Sequence, residues 1–217
     1  MADSEGIEAV TMRRLALELS VRAASLYHHV SGNEQILDGL VDVVAAEIQP
    51  PMPSTGWRTA ISQRAYNAGA ALGGRPWAVS LMASRTRPGS ATLRLLETGI
   101  RCFREGGFSV LLAGHAVSVV DGHVHRFVLQ EVILPFRDEL ELAAMTGSIM
   151  EAFSSSEFPC RFEMTVKHVL QPGYDYGKEF DSGLKVVLVG FTAARGLSCA
   201  SQEPRSWSAR TRGRTAV

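Results

Sequence analysis

Residues Thr11 to Glu34, TMRRLALELSVRAASLYHHVSGNE, hold two short amphipathic segments with a tight corner between them. Thr11 is suited to cap a first helix running through Leu19, in which Leu15, Ala16 and Leu19 fall on one face. Ser20 and Val21 form the corner. A second helix over about Arg22 to His29 sends Leu26 and Val30 inward, and Arg22, Ser25, Tyr27 and His29 outward. Ser31 and Glu34 stand at capping-box spacing and open a third helix, with Leu37, Leu40, Val41 and Val44 on its buried side. Two short helices joined by a brief turn can lay the second in a DNA major groove. The spacing therefore predicts a helix-turn-helix head.

The same residues resemble the DNA-binding head of the TetR (tetracycline-repressor-like) regulators. The resemblance rests on Thr11-Met12-Arg13-Arg14-Leu15-Ala16, then Leu19-Ser20-Val21, then Ser25-Leu26-Tyr27-His28-His29-Val30. Further along, Arg85 to Pro88 (Arg-Thr-Arg-Pro) and Gly106 to Ser109 (Gly-Gly-Phe-Ser) are similar to the tetracycline-repressor branch. The resemblance implies an all-α fold, with a helix-turn-helix head and a C-terminal helical domain for ligand binding and dimerisation. It implies a homodimer that binds a double-stranded operator and lets go when a small-molecule effector enters the body.

Carried over residue by residue, the resemblance gives Arg13 a base or phosphate contact, and Thr11, Ser25, Tyr27 and His29 phosphate contacts that fix docking. Ala23 and Ala24 stand where the family reads bases. Alanine can touch only a thymine methyl, which leaves more of the readout to Arg13 and Arg22. Ser20 stands in place of the usual turn glycine, and a left-handed serine there costs on the order of 1 kcal/mol. Family members carry a full helix ahead of this motif, whereas here only Asp3 to Gly6 precedes Ile7. That implies a start lying upstream or a shortened head, with the apolar side of Leu15, Leu19 and Leu26 uncovered.

Charge sharpens the question. The 217 residues have a net charge of zero, and residues 1–50 hold three arginines against eight carboxylates. DNA affinity rests largely on phosphates neutralised and counterions released. Such a head must gather its few cations on one face or bind weakly. Where the family often has a basic residue after the recognition helix, this chain has Gly32 and Asn33. The alternative is a dimeric helical module that binds a ligand or protein and has lost DNA binding.

The rest of the chain also reads as helical, and its 46% hydrophobic content is enough for a sizeable core. Gln49 to Gly56, with three prolines, is the expected joint between a head at 1–48 and a body at 57–197. The body helices are expected at Trp57–Leu72, Trp77–Ala83, Ser90–Arg104, Ser109–Leu134, Asp138–Phe153, Phe162–Leu170 and Lys178–Arg195. Leu93, Leu96, Ile100 and Phe103 give the cleanest buried stripe, and Gly106-Gly107 stops that helix. Phe180, Leu184, Val187, Leu188 and Phe191 make another stripe. By resemblance, Ser109–Leu134 and Lys178–Arg195 pair across a dyad, where Ala113, Gly114, Gly183 and Gly190 allow close approach. Residues 198–217 are Ser- and Arg-rich without apolar period and read as a disordered basic tail.

Helix faces nominate Trp77, Met82, Phe103, His115, Val119 and Phe127 for an effector pocket. No metal or cofactor is expected. His123 and His125 lie on different sides of a helix, and Ala83 occupies the place where tetracycline repressors hold a metal-binding histidine. No nucleophile elbow, zinc-binding or phosphate-loop motif is present, and an Asp121–His125 pair on one helix face is most simply a salt link, so no enzyme is expected. MADSEGIEAV lacks the marks of a signal peptide, no run is long enough to span a membrane, and three scattered cysteines fit a reducing cytoplasm.

Overall fold

The computed structural model describes residues 1–52, 56–151 and 155–196, which build helices and turns with no strand among them. The expected tail at 198–217 lies outside the described residues. The chain opens with one turn, α1 (Ala2–Glu5), and a 3-10 turn at Ile7–Ala9. α2 (Met12–Glu18) starts where Thr11 Oγ1 accepts the Arg14 N–H at 3.3 Å. The corner then forces Ser20 to a φ of 53°, the left-handed region that a glycine adopts freely. α3 is a bare turn, Ala23–Leu26, shorter than the Arg22–His29 expected, and Tyr27 to His29 continue it as a non-helical turn.

Leu19, expected to be uncovered, is 61% exposed and Leu17 71%, while Ala16 lines the inner face with Val10 and Met12. The Ser20 corner ends α2 before Leu19, so that residue becomes a cap and leaves the line of Met12 and Ala16. The expected capping box does not form. α4 (Asn33–Glu47) begins after Gly32, and Glu34 turns away to the Arg85 guanidinium at 2.7 Å. An ion pair with a cation outweighs a bond to one backbone amide. The Ser31 N–H is left to Gln35 Oε1, at 2.7 Å.

The body comprises α5 (Trp57–Gly73), α6 (Pro76–Ser84), α7 (Ser90–Glu105) and α8 (Val110–Ile133). α9 (Glu139–Glu151) follows, then α10 (Pro159–Met164) running into a π-helical turn at Thr165–Val169, then α11 (Gly177–Gly196). α5, α7 and α11 pack around α8. Ile61, Leu72, Phe103, Phe108, Val120, Val124 and Leu184 fill the centre, and Val44 and Ile48 of α4 belong to the same cluster. α4 is thus part of the head at its start and part of the body core at its end.

Local sequence explains the stops. Ser109 Oγ accepts the Leu112 N–H at 3.2 Å and caps α8. Gly106 ends α7 and also makes room: a Cβ there would come within 2.7 Å of Trp57. The Trp57 ring meets Phe108 edge-on at 4.9 Å and Phe103 at 5.7 Å, which pins the start of α5 to the end of α7.

α7 is rotated from its expected setting. Phe103 is fully buried, but Leu93, Leu96 and Ile100 are 53%, 38% and 36% exposed. The inward face carries Ala91, Thr92, Gly99 and Cys102 instead. Small groups are required there because α4 and α5 bring Asp42 and Arg64 into direct contact with the helix. On α11 the stripe holds: Phe180, Leu184 and Leu188 are buried, with Val187 and Phe191 packed against the core. Ala113 is buried inside the chain, and a Cβ on Gly183 would meet the His123 ring, so both serve packing within the body. Gly114 and Gly190 face open space. Among the described residues, no helix is long and apolar enough to cross a membrane.

Replacing Ser20 by Gly is expected to relieve the left-handed strain and stabilise the chain by about 1 kcal/mol, raising Tm by roughly 2–4 °C. Thermal and urea unfolding of S20G beside the parent check this, and an unchanged or lowered midpoint contradicts it.

Candidate nucleic-acid interface and its seat on the body

The outward side of the helix-turn-helix is open. Arg13, Arg22, Ala24, Ser25, Tyr27 and His29 are exposed, and Ala23 is half-buried. Thr11 is exposed too, but its hydroxyl already serves the α2 cap. Arg14 folds back onto Glu5 with bonds of 2.7 and 2.9 Å, which leaves Arg13 and Arg22 as head cations with no ion pair among the described residues.

Most acidic residues of the head are engaged elsewhere. Arg75, at the start of α6, holds Asp3 at 3.0 Å and also bonds Glu47. Trp77 Nε1–H donates to the other Asp3 oxygen at 2.9 Å. These hydrogen bonds from Arg75 and Trp77 hold the Asp3 carboxyl below the usual carboxylate range. Arg85 gathers Glu34 at 2.7 Å and Asp38 at 3.6 Å. Six of the eight head carboxylates are therefore engaged (Asp3, Glu5, Glu34, Asp38, Asp42, Glu47), five of them by body residues.

Asp42 makes the tightest of these contacts. Its Oδ1 accepts the Thr92 N–H at 2.8 Å and the Thr92 hydroxyl at 3.0 Å, so a head carboxylate caps the first turn of α7. Burial acts to raise its pKa, but the Thr92 and Ala91 amides and the Thr92 hydroxyl outweigh it and the carboxyl titrates low. Gly89 permits the approach: a Cβ there would fall 2.3 Å from the Asp42 carboxyl carbon.

Deeper in the body, Arg64 of α5 is 2% exposed and bonds Asp121 of α8 at 2.5 and 3.3 Å. Asp121 is thus held by a buried cation, the role a salt link requires, with Arg64 rather than His125 as its partner. Burial chiefly lowers the His125 pKa, with Arg64 adding to that and Asp121 opposing it. Gly99 faces this pair, and a Cβ there would stand 3.1 Å from Arg64 Nε. Beside Arg64, a cavity of about 240 Å³ opens between the end of α4, the joint and α7.

Of the six residues nominated for an effector pocket, Phe103 is buried in the core cluster and Trp77, Met82 and Phe127 pack against it, while His115 and Val119 are exposed on α8. Trp77 is also bonded to Asp3, and Phe127, stacked on Tyr176 at 4.9 Å, lines a cavity of about 260 Å³ with Tyr66 and Phe180. No group of three or more His, Cys, Asp or Glu residues suited to a metal ion occurs among the described residues. Sequence reasoning missed Arg64 and Asp42. A signal existed for the first: Arg64 interrupts the stripe Ile61, Ala65, Ala68, Leu72, and an arginine on an apolar helix face needs a buried partner. None existed for Asp42, whose partners lie 50 residues away.

A helix-turn-helix head seated on an all-helical body is the architecture of a transcriptional regulator rather than an enzyme. The sequence model of the tetracyclin repressor-like C-terminal domain matches residues 49–195. The chain belongs to that TetR family of transcriptional regulators. It is 29% identical over 201 residues to an HTH-type transcriptional regulator of Saccharopolyspora erythraea, covering 91% of this chain and 82% of that protein. It is 31% identical over 126 residues to the HTH-type transcriptional repressor DrrR1 of Streptomyces coeruleorubidus, spanning 57% of this chain and 47% of that one. The fold is shared with the Streptomyces coelicolor TetR family protein ActR, solved in complex with actinorhodin, with a TM-score of 0.74, 24% identity and coverage of 90% and 93% of the two chains.

Replacing Asp42 by Ala is expected to cost about 0.5–2 kcal/mol, the usual penalty of a lost helix cap. Because the Asp42 pKa is depressed by folding, its contribution is complete above the unfolded value near 4 and is lost as pH falls through the folded one. Stability of the parent measured from pH 6 down to 2.5 should therefore fall more steeply than that of D42A, and parallel curves contradict the assignment.

Proposed function

We propose that this chain is a homodimeric repressor that binds a palindromic operator, responds to a small molecule in its body and works in the cytoplasm. The observation that carries the reading is the sorting of charge in the head. Five of its carboxylates turn to Arg75, Arg85 and Thr92, while Arg13 and Arg22 stay exposed beside Ser25, Tyr27 and His29. An overall acidic head can meet a phosphate backbone when most of its acids are occupied by the body. In this reading residues 1–48 are the DNA-binding unit and 57–197 the regulatory one. Arg13, Arg22, Ala23 and Ala24 approach base edges, and Thr11, Ser25, Tyr27 and His29 hold phosphates. The name of DrrR1 supports repression, and the actinorhodin complex of ActR supports a small-molecule effector.

Dimerisation is supported by the apolar side chains that α8 and α11 leave in solvent. Val119, Leu129, Val132 and Ile133 on α8 are exposed, as are Val186 and Val189 on α11, with Gly114 and Gly190 uncovered among them. Two copies joined by such faces would bury a surface that a monomer keeps wet. A charged residue there should split them: Val186→Asp is expected to halve the mass measured by light scattering while leaving the helical spectrum unchanged. A parent that is already monomeric at micromolar concentration would contradict the dimer.

Operator binding is tested on a duplex selected from a random pool. The parent's affinity should fall steeply with added salt, and Arg13→Ala should weaken binding and reduce the slope of log affinity against log salt by roughly 1. Binding indifferent to both salt and Arg13 would favour instead a helical ligand- or protein-binding module without DNA function.

A further inference from the structure

The cavity of about 260 Å³ that Phe127 lines lies between α5, the end of α8 and the start of α11. Three rings meet at its wall. Tyr66 lies 5.3 Å from Phe180, and Phe180 meets Phe127 edge-on at 5.1 Å. Gly69 of α5 leaves room beside them, since a Cβ there would stand only 3.8 Å from the Phe180 ring. The charged groups that line this space are Glu131 and Asp181, both exposed, with no Lys, Arg or His beside them among the described residues.

No cation of the chain answers either acid. Neither Glu131 nor Asp181 joins an ion pair among the described residues. Lys178, near Asp181 on α11, instead donates to the Gly173 carbonyl at 3.1 Å. Asp181 Oδ1 accepts the Tyr66 hydroxyl at 2.7 Å, and that bond chiefly raises the Tyr66 pKa, so the phenol stays a donor. Asp181 Oδ2 and the two Glu131 carboxylate oxygens remain open. Aromatic rings attract a cation through their quadrupole, and carboxylates accept its N–H groups in charge-assisted bonds. A primary ammonium has three N–H donors for those open oxygens. Small-molecule sites usually enclose about 300–1,000 Å³, so an occupant here must be small.

We propose that this cavity binds a small primary amine in its ammonium form, held by Glu131 and Asp181 at the mouth with its hydrocarbon body against Phe127 and Phe180. The two acids select for charge, and the rings supply contact that a neutral body of the same size shares. The inference goes beyond the repressor reading and needs neither an operator nor a dimer.

The test titrates the whole 217-residue chain with two probes of closely similar shape, cyclohexylammonium and cyclohexanol, and follows their proton resonances. The ammonium is expected to bind at least about tenfold more tightly, equivalent to about 1.4 kcal/mol. Added salt should narrow that margin. Glu131→Gln and Asp181→Asn should each lose part of the preference, and the double variant E131Q/D181N all of it, with cyclohexanol binding unchanged. D181N keeps an acceptor for the Tyr66 hydroxyl, and a circular dichroism spectrum matching the parent's verifies that each variant folds. Gly69→Leu, which fills the cavity, should weaken both probes alike and so locates the binding. Equal binding of the two probes, a preference that survives E131Q/D181N, loss of cyclohexanol in that variant, indifference to Gly69→Leu, or no binding of either probe overturns the proposal.

Discussion

Helix α4 has to be two things at once, and the contact that lets it is a carboxylate on a helix end. Asp42 closes the first turn of α7 through the amide and hydroxyl of Thr92, in a space that exists because residue 89 has no side chain. On either side of that point the attachments differ in kind. Towards its end α4 is sunk in the core through Val44 and Ile48. Towards its start it is held by Arg85 to Glu34 and Asp38, and exposed ion pairs of that sort contribute about 0–1 kcal/mol each. The helix is firmly rooted at one end and lightly fastened at the other.

The same arrangement resolves the head's awkward charge. Eight acids against three arginines look hostile to DNA when counted along the sequence. In space, most of those acids are the adhesive between head and body. Arg75 and Arg85 sit at the two ends of the α6 region and each collects two of them. Such contacts loosen with salt and with acid, whereas the apolar burial of Val44 and Ile48 does not. The charges that attach the head are thus a separate set from the exposed Arg13 and Arg22.

Much of this was legible in the sequence. The helix-turn-helix, the Thr11 cap, the joint at Gln49 and the α11 stripe could be read from residue types, because each depends on neighbours within a few positions. The errors have a common origin in distant partners. Ser31 and Glu34 have the spacing of a capping box, but Arg85 competes for the glutamate. Leu93, Leu96 and Ile100 have the spacing of a core stripe, but Asp42 and Arg64 claim the other side of α7 and require small residues there. Of the effector nominations, four meet at the core and two stand in solvent, because apolar residues on separate helices share a face with the core as readily as with a cavity. Arg64 was readable in principle, as the one cation on an apolar face of α5, and its partner Asp121 was not.

Gly106 and Trp57 carry one more consequence. The close fit between them anchors the start of α5, while Ile48 anchors the end of α4, so the joint between is tied at both sides. Gln49 and Met52 are further tied to α5, through Asn67 and Gln63 at 3.0 Å each. The end of α4 is thus fixed by packing and by hydrogen bonds to α5. At 15 residues the helix is roughly 22 Å long, so a tilt of about 10° at the root carries its first turn roughly 4 Å. In the dimer proposed above, two heads displaced by that distance in opposite senses would no longer match the one-turn repeat of a duplex. The room that Gly106 leaves for the Trp57 ring lets α5 begin hard against α7, and so sets the base from which α4 projects.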